Sequence, residues 1–411
     1  MKVDTLIIGA GLSGLAAAAR LHESGQSFLI LEASDAVGGR VGTETVDGFL
    51  IDRGFQVFLD AYPESSALLN LEQLDLRAFE PGALVWKGGK LHCLMDVFRR
   101  PDAFLSSLAA PIGTLSDKWR VVRLRERFRK MPVEQIWTLP EQSTLEFLKG
   151  EGFSREMIDL FFRGFYGGIF LEDELTTSAR MFAFTFGMFA RGRATLPASG
   201  MKAIPEQLAS RLPPGSIRLS CPVRKIEGKS VRTDEEEFTA KQILLATDAT
   251  QASILLKKSS TPAWRRTASL SFSADESPYS DRLIALRGDR KGIIHHLTVP
   301  SNVAPTYSPD TKSLVSVTLV GNSCEGAGLE SQVRRELLDW FGPATATWRL
   351  LRIDSINEAL PANIPFDRFP PKVSDGIYIA GDHVRNASIE GAIGSGIRAA
   401  ENILGDCIQK I

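Results

Sequence analysis

The first fourteen residues restrict the fold more than any other part of the chain. Val3 to Ile8 is an apolar run of strand character. Gly9-Ala10-Gly11-Leu12-Ser13-Gly14 follows at once, and the Ala-rich stretch from Leu15 to His22 reads as helix. A second apolar run, Phe28 to Leu31, ends in Glu32, 18 residues after Gly14. This is a β–α–β opening with glycines where a dinucleotide needs them. Gly9 permits a tight turn, Gly11 lets backbone approach a pyrophosphate, and Gly14 lets helix and sheet pack closely. The helix start, at Leu12 and Ser13, offers N–H groups and a partial positive charge to phosphate. Glu32, beside Ala33, stands where a carboxylate accepts hydrogen bonds from a ribose 2′-OH, and its charge disfavours NADP. The glycine pattern alone does not separate NAD from FAD.

Composition narrows the class. The 411 residues carry 48 Lys and Arg against 49 Asp and Glu, a net charge of −1. Nucleic-acid binders usually carry a basic domain, so no nucleic-acid partner is expected. At 44% hydrophobic and 24% charged residues the chain is globular, and its length suits two or three domains. Cys93, Cys221, Cys324 and Cys407 form no CxxC pair and have no histidine at ligand spacing. No metal site and no disulfide framework are expected, and a reducing, cytoplasmic compartment is the default. The N-terminus enters a strand directly, which leaves no room for a signal peptide, and no apolar run is long enough for a membrane span.

Further blocks resolve the cofactor. Gly38-Gly39-Arg40 follows Glu32, and Asp47 to Asp52 leads into Arg53-Gly54-Phe55-Gln56. Near the other end, Gly376-Ile377-Tyr378-Ile379-Ala380-Gly381-Asp382 precedes Ser388-Ile389-Glu390-Gly391-Ala392 and a helical stretch. Together these blocks resemble the flavin-containing amine oxidase superfamily, which includes amine oxidases, protoporphyrinogen oxidase and phytoene-desaturase-like enzymes. The resemblance implies that Gly39 and Arg40 contact the FAD diphosphate and that Gly381 and Asp382 hold its ribityl–diphosphate part. It also implies that the last helix, which Gly391 and Ala392 begin just after Ile389, points at the pyrimidine edge of the flavin. The N–H groups of Gly391 and Ala392 would there stabilise charge on a reduced flavin. By the same resemblance Val223 meets the adenine through its backbone, and Gly54, Phe55 and Gln56 approach the isoalloxazine. Thr195-Leu196-Pro197-Ala198-Ser199-Gly200-Met201 and Ala359-Leu360-Pro361 fit the family as well.

Cofactor motifs at both ends make the nucleotide-binding part discontinuous. The expected class is α/β: a Rossmann-type FAD-binding domain over 1–85, 194–262 and 346–411, with an inserted α+β substrate domain over 86–193 and 263–345. In the first insert, Leu115 to Met131 holds seven basic and two acidic residues. Beside apolar Phe98, Phe104, Leu105 and Leu108 this run suits an anionic membrane surface, although a solvated helix face is the plainer reading. The stretch from Phe161 to Phe189 holds eight of the 23 phenylalanines. Phe182, Phe186 and Phe189 share one helical face, as core or as the wall of an apolar cavity. Arg163-Gly164-Phe165-Tyr166-Gly167-Gly168 resembles a glycine-containing segment of desaturase-like relatives. In the second insert, apolar runs at 283–286, 293–297 and 314–320 read as antiparallel strands, with His295 and His296 on opposite faces as satisfied sheet residues.

The chain is expected to be an FAD-dependent oxidoreductase of amine oxidase or desaturase type. No catalytic residue is assigned, because the flavin does the chemistry; Phe55, Gln56 and Tyr166 are pocket candidates. The family's flavin-linking cysteine has no match, so FAD is expected to be noncovalent. Five tyrosines and many phenylalanines favour a bulky apolar substrate, with an amine as the other choice. The electron acceptor, oxygen or a quinone, stays open, as do a redox-neutral isomerase and a redox-silent flavin binder.

Overall fold

The computed structural model describes residues 2–259, 262–289, 291–326, 328–362 and 371–408. The chain opens with β1 (Lys2–Ile8), α1 (Leu12–Glu23) and β2 (Phe28–Leu31). After a hairpin at 43–52 come β3 (Gly82–Lys87) and β4 (Lys90–Met95), then a helical stretch that includes α2 (Phe104–Ala109), α3 (Leu115–Lys130), α4 (Arg163–Phe170) and α5 (Ala179–Arg191). The chain returns through β5 (Glu237–Leu245) and builds β6 (Trp264–Ala274), β7 (Ile284–Arg287), β8 (His296–Thr298) and β9 (Ser313–Val320). It ends with α6 (Leu329–Phe341), β10 (Arg349–Pro361), β11 (Ile377–Ile379) and α7 (Ile389–Ile408).

Two sheets organise these elements, in a mixed α/β arrangement. In the first, β1 lies parallel between β2 and β5, and β5 pairs in parallel with β11. The strands β1 and β2 are buried on both faces from Thr5 and Phe28 onward, which is why they read as continuous apolar runs. Small residues set how closely the helices approach. A Cβ on Gly396 of α7 would overlap the carbonyl of Ser13, so α7 lies directly against the start of α1. The second sheet has seven strands in the order β10-β6-β9-β8-β7-β3-β4. One of its faces, with Leu270, Phe272, Val317 and Leu297, packs on Val333, Leu337 and Trp340 of α6.

Three expectations change here. Residues 349–361, expected with the cofactor half, hydrogen-bond to β6 as the edge strand of the second sheet. That sheet is not purely antiparallel, because β7 pairs in parallel with β3, whose residues 82–85 were expected with the cofactor half. The third concerns His295 and His296. Only His296 belongs to a strand, so the pleat does not separate the two rings, and their Nδ1 atoms stand 3.2 Å apart.

The phenylalanine-rich stretch does form a core. Phe182 is fully buried and touches the rings of Phe128, Phe147, Phe162 and Tyr166. The basic helix α3 starts at a capping box of Thr114 and Asp117 and buries Leu124 and Phe128. Much of its positive charge is paired locally: Arg125 with Asp96 at 3.0 Å, Arg127 with Glu151 at 2.8 Å and Arg129 with Glu126 at 3.0 Å. None of the described helices is long and apolar enough to cross a membrane.

Candidate functional site

The carboxyl ends of β1, β2, β5 and β11 and the starts of α1 and α7 converge on one groove. Gly9 has φ +104°, and a Cβ there would stand 2.7 Å from the Ala246 carbonyl oxygen. Glycine is required because L side chains are strained at that angle and backbone already fills the space. Gly11 differs: nothing lies within 4 Å of the position its Cβ would take. The loop therefore presents bare backbone to open space, as an approaching phosphate requires. Glu32 holds this loop in place, since Oε2 accepts from the Ala10 N–H at 2.6 Å and Oε1 from the Ser34 N–H at 2.9 Å. Gly38 bridges to Gly11, and Gly39 lies alongside it.

The second half of the groove comes from the far end of the chain. Asp382 is buried and accepts both arms of Arg40, Nη2 at 2.6 Å and Nη1 at 2.9 Å. Arg40 also donates to the Ala359 carbonyl, and its guanidinium lies 5.4 Å from the Trp264 ring centroid. A forked pair of this kind fixes the plane of the guanidinium. His383 is enclosed beside Asp382, and neither ring nitrogen has a hydrogen-bond partner in the protein. Burial pushes its pKa down. An enclosed imidazole with two orphaned nitrogens calls for a hydrogen-bonding guest beside Asp382, and the bare Gly11 backbone separately leaves room for a phosphate.

The remaining sequence candidates fall into place around the groove. Gln56 donates to the backbone carbonyls of Arg40 and Arg53, so it braces the groove rather than facing a ligand. Gly54 packs on the Ile356 side chain. Val223 is buried at the start of the strand Val223–Glu227, and Ala33 is exposed. One detail corrects the sequence reading. The N–H of Gly391 donates to Ser388 Oγ and that of Ala392 to the Ser388 carbonyl. These two amides are already engaged because Ser388 caps a helix that begins at Ile389, two residues earlier than expected. What α7 offers a ligand is the positive end of its dipole.

Phe55 links the groove to a second feature. Its ring meets Phe79 at 6.1 Å and His296 at 5.4 Å, both edge-on. Phe79 lines a cavity of about 880 Å³ walled by Phe165, Tyr166, Phe186, Phe189 and Ile284. Tyr166 is fully enclosed, and burial pushes its phenol pKa well up, so it stays protonated. The two carboxylates in the wall are neutralised, Glu80 by Arg100 at 2.6 Å and Asp96 by Arg125 at 3.0 Å. At the mouth, Phe98, Phe104, Leu115 and Trp119 are each at least 50% exposed. Sequence reasoning missed the part of the wall from β3, because a short apolar strand does not reveal which strand it pairs with.

A Phe186→Asp variant tests the wall. Its carboxylate would face Phe128, Tyr166 and Phe182 with no counter-charge, so the expected result is loss of folding or of apolar-ligand binding. Titration with a fluorescent polyene acid after a melting check reads this out. A folded variant that binds the probe as tightly as the parent would remove Phe186 from the wall.

Residues 12–404 match the family model for flavin-containing amine oxidoreductases. The chain belongs to that family. It is 30% identical over 260 residues to lysine-specific histone demethylase 1B of Mus musculus, a match covering 59% of this chain and 29% of that protein. The match thus spans less than a third of that relative's length. Among solved structures, putrescine oxidase bound to putrescine shares the fold at a TM-score of 0.73 and 18% identity, covering 98% and 99% of the two chains. An oxidoreductase from Methanosarcina mazei does so at a TM-score of 0.76 and 19% identity, covering 98% and 100%. The family implies a flavin cofactor, and the bare Gly11 backbone and the orphaned His383 nitrogens fit one.

Proposed function

We propose that the protein is an FAD-dependent oxidoreductase that removes hydride from a bulky, largely apolar substrate. The observation that carries this reading is the position of Phe55, between the polar groove and the apolar cavity. The first sheet and α1 then form a Rossmann-type FAD-binding half. The Gly9–Gly14 loop and the start of α1, with Leu12 and Ser13, take the pyrophosphate, assisted by Gly39 and Arg40. Glu32 and Ala33 take the adenosine ribose, and Val223 the adenine. Gly381 and Asp382 hold the ribityl–diphosphate part, Gly54 and Phe55 border the flavin ring, and α7 from Ile389, through Gly391 and Ala392, aims its dipole at the pyrimidine edge.

FAD supplies the two-electron chemistry when bound. The chain supplies orientation and dryness. Phe55 and Phe79 form the boundary across which substrate and cofactor meet, and Phe165, Tyr166 and Phe186 keep water from the apolar body of the substrate. Pairing of Glu80 and Asp96 with arginines leaves no free carboxylate there for a polycationic substrate, which favours an apolar one. Exposed Phe98, Leu115 and Trp119 would let the mouth rest on a membrane surface holding such a substrate. FAD is noncovalent in this reading. Cys324, a half-buried thiol donating to the Leu319 carbonyl, has its pKa pushed up to about 11 and is a poor nucleophile.

Anaerobic titration of the flavin band with polyenes, tetrapyrroles and amines tests the proposal. Bleaching by an apolar substrate is the expected result, and bleaching by small amines alone would overturn the substrate class. Glu32→Ala probes the cofactor half. It removes the ribose acceptor and the loop contact to Ala10, and should weaken FAD retention roughly tenfold or more. Unchanged FAD content after gel filtration would contradict this.

A further inference from the structure

One face of the second sheet packs on α6; the other holds a row of buried polar groups. Strand register places Asp354 of β10, Ser269 of β6, Thr318 of β9 and His296 of β8 side by side. Successive members are cross-strand neighbours on one face. Each is at most 8% exposed, and each has a polar atom without a protein partner: Asp354 Oδ2, Ser269 Oγ, Thr318 Oγ1 and His296 Nε2. Four orphaned polar atoms in one row are costly to bury dry, so the row is built to hold water or another hydrogen-bonding guest.

His296 gives this row a second exit. Its Nδ1 stands 3.2 Å from Nδ1 of His295, and Nε2 of His295 stands 3.5 Å from the carboxylate of Asp173, whose side chain is half exposed. The backbone of α4 makes room for both rings. A Cβ on Gly167 would stand 3.0 Å from His295 Nε2, and one on Gly168 2.9 Å from His296 Nδ1. This accounts for the paired glycines in the Arg163–Gly168 segment. Burial holds the pKa of His295 down to about 4, with the Arg163 backbone raising it and the Arg287 guanidinium lowering it. Burial and then His295 hold His296 well below its usual value. Arg287 itself is paired with Asp289 and Glu336, and Arg163 with Asp159 and Glu174. At neutral pH both imidazoles are therefore uncharged, and each carries one N–H.

We propose that His296 and His295 form a proton relay between the buried polar row beside Phe55 and Asp173 at the surface. A proton arriving at His296 Nε2 forms an N–H bond there. The Nδ1 proton of His296 passes to His295 Nδ1, and His295 releases its Nε2 proton to the Asp173 carboxylate. One proton leaves the interior, no electron moves, and both rings exchange tautomers; the reverse passage restores them. This matches two-step redox chemistry, in which substrate oxidation by hydride loss frees a proton and return of the electrons to oxygen or a quinone consumes one. The relay's position next to the reaction rests on the FAD reading given above; the histidine pair does not.

Two measurements on the full chain separate these. The protein has five histidines, so selective 15N labelling resolves them, with His295→Gln assigning the pair. The two rings should stay neutral from about pH 5 to about pH 9, one protonated at Nδ1 and the other at Nε2. Two Nε2–H tautomers, or a ring that charges in that range, would overturn the relay whether or not flavin is bound. The second measurement follows proton uptake with a pH indicator as photoreduced, flavin-loaded protein meets oxygen. His295→Gln and Asp173→Asn should slow uptake roughly tenfold or more at unchanged flavin content and melting temperature, and imidazole should rescue His295→Ala. Uptake at the parental rate in His295→Gln would refute the relay, whereas a chain that binds no flavin would refute the FAD reading alone.

Discussion

Replacing Gly14 with alanine will strip the protein of flavin and lower its melting temperature. A Cβ at Gly14 overlaps the carbonyl oxygen of Gly9 and comes within 3.2 Å of the Ala246 side chain. Neither neighbour yields easily. Gly9 is held at φ +104° with its own Cβ position already filled by backbone, and Ala246 extends β5 in the middle of the first sheet. The strain must move α1 away from the sheet, at a cost of about 3 kcal/mol for overpacking a site without free volume. The same shift carries the amides of the glycine loop away from the phosphate position, so affinity for the cofactor falls along with stability. Thermal melting and flavin content per chain read the two effects separately. Parental values for both would mean that this loop has slack where none is found. Gly11→Ala provides the contrast: its Cβ meets only open space, so the fold should survive while cofactor affinity drops.

The second large effect concerns Asp52, which ends the hairpin strand leading to Phe55. Its carboxylate accepts from Thr43 at 2.5 Å, the Met201 N–H at 3.0 Å and Tyr307 at 2.8 Å, with no cation beside it. Burial pushes its pKa up to about 6, against the three hydrogen bonds that favour the charged form. A carboxyl whose folded pKa exceeds its unfolded value near 3.8 takes up protons on folding. Stability is therefore greatest below pH 3.8 as far as this group is concerned, falls between there and about pH 6, and stays reduced above. The difference is on the order of 2–3 kcal/mol. Asp52→Asn keeps an acceptor for Thr43 and Met201 and turns its NH2 toward the Tyr307 oxygen. It should raise the melting temperature at pH 7 and remove this part of the pH dependence. A variant less stable than the parent at pH 7 would show that the ionised carboxylate is a net asset.

Much of the cofactor half was legible in the sequence because its requirements are local. Gly9 and Gly14 have a conformation or a close approach that only glycine accepts, Gly11 leaves its backbone bare to open space, and Glu32 falls at the end of a strand whose length sets the spacing. The double-sided burial of β1 and β2 also shows directly as apolar runs. Long-range pairing was not legible. That β10 joins β6, and that β7 runs parallel to β3, depends on contacts between segments far apart in the chain. The engaged amides of Gly391 and Ala392 were missed because a two-residue shift of a helix start changes which N–H groups are capped. The contact between His295 and His296 was missed because the alternation of a strand was extended over His295, which precedes the strand.

The central claim, a groove that holds FAD without a covalent bond, is tested most directly by the absorption spectrum of the purified protein and chromatography of what acid releases from it. The account predicts an oxidised flavin spectrum and release of FAD in about one equivalent per chain. A colourless protein that takes up no added FAD, or a flavin that stays with the denatured chain, would contradict it.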